Sequence, residues 1–100
     1  MTQQQKTGKE IQIRAPDEVQ RGVYCNLMIV GHTKEEFIMD FILVTPPKAT
    51  LTARVIMSPG HMKRTVSALQ DNLAKYEKDI AKIEPAAEPA PRGKLGFRTT

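Results

Sequence analysis

Three apolar, β-rich runs follow one another with only short breaks between them. They are residues 23–30, closed by Gly31; residues 37–44, closed by Thr45-Pro46-Pro47; and residues 51–57. β-branched and aromatic side chains suit a pleated, half-buried backbone, and Gly and Pro punctuate it. The breaks at 31–36 and 45–50 are too short for the crossover that parallel strands need, so neighbouring runs must pair antiparallel as a meander. Upstream, Ile11-Gln12-Ile13 alternates like a fourth, edge strand, with turn chemistry after it at Ala15-Pro16-Asp17.

A helix should follow the third run. Ser58 suits its N-cap and Pro59 its first position, while Pro85 forbids continuation, which places the end near Glu84. Its apolar residues Met62, Val66, Leu69, Leu73, Tyr76, Ile80 and Ile83 are spaced 4, 3, 4, 3, 4, 3. Such a stripe fits a helix lying on the sheet or a contact with the same helix of a second copy. The flanking Lys63, Gln70, Glu77, Thr65, Asn72 and Asp79 carry no clean charge code for the second arrangement. The expected fold is α+β: an antiparallel sheet of three to four strands followed by one long C-terminal helix packed on one face. Residues 1–10 read as a disordered arm, 11–84 as the single domain and 85–100, rich in Pro and Ala, as a disordered tail.

Alternation divides each strand between two faces. The residues in step with Leu27, Met39 and Val55 are all apolar, and the helix is expected over them. The residues in step with Tyr24, Met28, Ile38, Ile42 and Ile56 are also largely apolar but surround a polar centre of Asn26, Asp40 and Arg54. One helix cannot cover both faces, so the second is expected to be an interface, and the chain a homodimer. Pairing Val44 with Thr50 sets Asp40 opposite Arg54, and pairing Val30 with Glu36 sets Asn26 opposite Asp40. The three then form one hydrogen-bonded row that pins the register, with a ligand site centred on Arg54 as the functional alternative.

The remaining chemistry is sparse. No phosphate loop, nucleophile elbow or paired carboxylates occur. Cys25 falls on an apolar face, where a thiol is normally inert, and one cysteine cannot form an internal disulfide. His32 and His61 have no Cys or carboxylate at ligand spacing, so neither a metal nor a cofactor is expected. Thr33-Lys34-Glu35-Glu36 has the capping-box pattern and predicts one helical turn in its loop. Ser58 with His61, Lys63 and Arg64 offers an anion site at the helix start, as an alternative to ordinary capping. The net charge of +4 is spread evenly along the chain, which speaks against a nucleic-acid partner. The apolar run at 41–44 is far too short to span a bilayer, and no secretory signal opens the chain, so a cytoplasmic, membrane-free protein is expected. In the tail, Leu95 and Phe97, flanked by Lys94 and Arg98, suit docking into a groove of a larger protein partner, against the plainer reading of simple disorder.

Several local patterns, taken in order, resemble a small prokaryotic family catalogued as domain of unknown function 3467. They are Tyr24-Cys25-Asn26, Glu36-Phe37 before Met39-Asp40-Phe41, Pro46-Pro47, Ala53-Arg54-Val55, Met57-Ser58-Pro59 with His61 and Lys63, and Leu69 through Tyr76-Glu77. The resemblance covers roughly residues 11–83, with both tails outside it. It implies a compact prokaryotic domain and transfers no catalytic residue; Cys25 stands where the pattern expects alanine. The order of strands and helix is also similar to that of the export chaperone SecB, an analogy of fold alone. The functional expectation is a non-enzymatic homodimeric interaction or adaptor protein. A peptide-binding, SecB-like holdase and a weak nucleic-acid-binding regulator are the alternatives.

Overall fold

The computed structural model describes residues 10–90 and 96–97. Its elements are α1 (Asp17–Gln20), β1 (Leu27–His32), β2 (Phe37–Thr45), β3 (Lys48–Met57) and α2 (Pro59–Asp79). The strands form one antiparallel meander in the order β1-β2-β3, so the layout is α+β, with a three-stranded sheet followed by a C-terminal helix.

No fourth strand forms at Ile11 and Ile13, which stand 90% and 91% exposed. With no apolar surface to cover, two isolated isoleucines do not offset the entropy of ordering a strand. The chain instead makes the single turn α1 after Pro16 and leaves it at Gly22, whose φ of +73° is a conformation glycine adopts without strain. The strand expected from residue 23 begins only at Leu27. The loop before β2 is a turn, not a helical one: the Thr33 hydroxyl accepts from the backbone N–H groups of Glu35 and Glu36, at 3.1 and 3.2 Å. β3 starts earlier than expected, at Lys48, because Pro46-Pro47 alone makes the reversal and Thr45 already pairs with Lys48.

Register decides which residues share a face. β1 pairs with β2 as Leu27 with Ile42 and Ile29 with Asp40. This lies three positions from the expected pairing of Asn26 with Asp40, and an odd offset turns β1 over relative to β2. β2 pairs with β3 as Asp40 with Arg54, and a bulge at Phe41/Ile42 then leaves Thr52 unpaired, so that Leu51 pairs with Ile42. The Thr52 hydroxyl donates to the Phe41 carbonyl at 2.9 Å, which holds the extra residue in place. One face therefore gathers Leu27, Ile29, Ile38, Asp40, Ile42 and Val44 with Leu51, Arg54 and Ile56. The other gathers Met28, Val30, Phe37, Met39 and Phe41 with Val55 and Met57.

The core is thin. Among the described residues the buried apolar side chains are Leu27, Met39, Ile42 and Val44, and no large side chain is fully enclosed. The reason lies in α2. It meets the sheet only near its start, where Phe37 lines a groove with Pro59, Met62 and Val66 and the Thr65 hydroxyl donates to Met57 Sδ at 3.3 Å. The helix buries none of its residues, and Val66, Leu69, Leu73 and Tyr76 stay 44–64% exposed. The expected cover of one whole sheet face by the helix is thus confined to its first two turns. The helix also stops at Asp79, short of Glu84. There the Glu77 carboxylate accepts from the Ile83 N–H at 3.0 Å, an acceptor outside the helix ladder that draws the chain off its axis. The radius of gyration is 17.1 Å, against about 13 Å for a compact chain of this length.

Candidate functional site

Asp40 is the one buried charged residue among the described residues, 7% exposed in the middle of the central strand. It persists there because Arg54, directly opposite on β3, reaches it with a two-pronged contact. Arg54 Nε donates to Asp40 Oδ1 at 2.6 Å and Nη2 donates to Oδ2 at 3.0 Å. A planar guanidinium matches a carboxylate in this way, and an unpaired carboxylate at the same position would be strongly unfavourable. The hydrogen bonds from Arg54 hold the Asp40 carboxyl below its ordinary value, reinforced by the positive charge and opposed by burial. The same bonds raise the already high Arg54 value. Arg54 remains about half exposed, with its outer side open to solvent and to the ring of Phe97, 6.0 Å from the guanidinium carbon. That separation falls within the range of a cation–π contact.

Asn26 does not join this pair. The three-position offset of β1 carries it to Val44, where its side chain acts as a further strand residue. Asn26 Oδ1 accepts from the Val44 N–H at 2.8 Å and Nδ2 donates to the Val44 carbonyl at 3.0 Å. The Asn26 backbone N–H also donates to the Ile42 carbonyl, at 3.1 Å. The asparagine thus pins register, but through backbone clamping and not through a polar row.

The expected interface residues separate. Ile38, Ile42 and Ile56 share the face of Asp40, Met28 lies on the opposite face, and Tyr24, 76% exposed, precedes the strand. Ile42 is buried within this chain, packed with Leu27 and Val44, so it is not open to a partner. At the start of α2 the groups proposed for an anion are already engaged. Ser58 Oγ accepts from the His61 N–H at 3.2 Å, the Ser58 carbonyl takes the Met62 N–H at 2.9 Å, and Arg64 Nη2 lies 3.0 Å from His61 Nδ1. Lys63 instead borders the groove beside Phe37, a concavity of about 530 Å³. These contacts describe an ordinary capped helix start. Of the tail motif, Leu95 and Arg98 lie outside the described residues.

Sequence reasoning missed Ala90. This residue, expected in a detached tail, packs against the cluster of Leu27, Ile42 and Val44. A lone alanine in a Pro/Ala stretch carries no periodic signal that would single it out. Among the described residues no helix is long and apolar enough to cross a membrane.

No curated protein and no solved structure matches the chain. A family model described as "Protein of unknown function (DUF3467)" matches residues 1–85, and so takes in the N-terminal arm that the local resemblance had left out. With the match spanning the sheet, the Asp40–Arg54 pair and the whole of α2, the chain belongs to the DUF3467 family.

Proposed function

We propose that the protein is a cytoplasmic, non-enzymatic interaction module that works as a homodimer joined through α2. The observation that carries this reading is the apolar stripe of the helix, which stays open among the described residues: Leu69 is 64% exposed, Leu73 55% and Tyr76 44%. An apolar patch of that length is uncommon on a monomer, and the few buried side chains of the sheet make a thin core for a chain of this size. A second copy suits the stripe because seven-residue spacing is self-complementary.

Charge favours an antiparallel pair. Lys63 and Arg64 make the first half of α2 positive, whereas Asp71, Glu77 and Asp79 outnumber Lys75 and Lys78 in the second. Antiparallel helices set these halves against each other and also oppose their dipoles. The two side chains best placed for acid–base or anion chemistry, Asp40 and Arg54, neutralise each other, which supports a binding role over a catalytic one.

Light scattering at micromolar concentration should give about twice the chain mass of 11.2 kDa. Leu69→Asp with Leu73→Asp should return the monomer with the sheet intact by circular dichroism. A monomeric parent protein overturns the reading. The same exposed stripe also supports a second reading, a SecB-like module that holds unfolded peptides. In that case the parent chain, and not the double variant, should suppress the aggregation of a reduced client protein.

A further inference from the structure

α2 reaches the sheet on the face of Phe37 and Met57, which should leave the face of Leu27, Ile42 and Val44 bare. Yet these three side chains are the least exposed among the described residues, at 5% each. Packed against them are Ile29 of the same sheet face and, from beyond the helix, Ala90. On the same face the ring of Phe97 stands 6.0 Å from the Arg54 guanidinium. The two contacts are geometrically compatible. From Val44 to Asp40 is roughly 13 Å along a strand, and the seven residue steps from 90 to 97 can span up to about 25 Å.

We propose that this face of the sheet is a peptide-docking surface and that the chain's own C-terminal segment is its resident ligand. The surface has two subsites. An apolar one, formed by Leu27, Ile42 and Val44, takes a small side chain, here Ala90. A cationic one, the outer side of Arg54, takes an aromatic ring, here Phe97. The Asp40 carboxylate holds the guanidinium plane and so presents Arg54 to the ring. This assignment does not depend on dimerisation through α2, since the two use different surfaces.

The chain has no tryptophan, so Phe97→Trp in the full-length protein places a single reporter at the second subsite. Acrylamide quenching of that tryptophan should be roughly twofold weaker than in a free peptide of residues 85–100 carrying the same substitution, because Phe97 keeps 57% of its surface open. Ala90→Asp, which sets a carboxylate against the apolar subsite, and Arg54→Met combined with Asp40→Asn, which removes the cation without stranding a buried carboxylate, should each raise quenching to the free-peptide level while circular dichroism keeps the parent signal. An excess of the unlabelled 85–100 peptide should do the same by displacement. Equal quenching in the parent protein and the free peptide overturns the proposal, as does a reporter indifferent to both variants. Repeating the measurement with Leu69→Asp present must give the same answers, so that a failure here and a failure of the dimer are told apart.

Discussion

Replacing Asn26 by alanine isolates the side-chain hydrogen bonds that clamp the start of β1 to the central strand. The substitution removes two hydrogen bonds, at 2.8 and 3.0 Å, from the N–H and carbonyl of Val44, a residue only 5% exposed. A neutral side chain–backbone bond contributes about 1 kcal/mol net, and a buried backbone group left unpaired costs about 1–3 kcal/mol. Asn26 itself is exposed, so water reaches part of the vacated space and the total should lie near 1–2 kcal/mol. For a domain of this length that corresponds to a fall of about 5–15 °C in melting temperature. Asn26→Asp keeps an acceptor for the Val44 N–H and loses the donor to its carbonyl, so it should fall between alanine and the parent. Urea denaturation followed by circular dichroism measures the energy, and hydrogen exchange at the Val44 amide localises it. An Asn26→Ala protein within 0.3 kcal/mol of the parent, with the Val44 amide still protected, would show that β1 keeps its register by apolar packing alone.

Three further predictions address the pair, the core and the helix start. Because the folded Asp40 carboxyl lies below its ordinary value, its contribution to stability is present above about pH 4 and lost as pH falls through the folded value; thermal melts of the parent should show this acid loss and those of Asp40→Asn should show less of it. Leu27→Ala should cost about 2–3 kcal/mol in urea denaturation, the lower part of the usual range, because the Leu27 cluster is small and the residues packed against it, Ile29 and Ala90, are only partly buried. Ser58→Ala should cost about 1 kcal/mol by the loss of the cap to His61, and helical content should fall only at the start of α2, read by amide exchange at residues 61–64.

The meander, the helix start and the opposition of Asp40 to Arg54 were legible in the chain because each rests on local chemistry. Pro46-Pro47 breaks one run from the next, Ser58-Pro59 starts a helix, and a polar residue at the centre of each of two apolar runs has one obvious partner. The pairing of β1 was not legible, for a reason visible in its composition. Leu27, Met28, Ile29 and Val30 are apolar on both faces, so a shift by an odd number of residues buries as much as it exposes, and alternation cannot choose. The Thr52 bulge, which brings Leu51 to the face of Ile42, is likewise silent in the sequence, since threonine serves a regular strand as well as a bulge. The helix stripe declared an apolar surface without declaring its cover; only the tertiary structure showed that the sheet takes the first two turns and leaves the rest open. The C-terminal segment lacks hydrophobic periodicity, and its contacts come from where the three-dimensional path brings one alanine and one phenylalanine. Local backbone preference and binary pattern set the elements; register, cover and the seating of Ala90 and Phe97 depend on contacts between residues far apart in the chain, which no local pattern encodes.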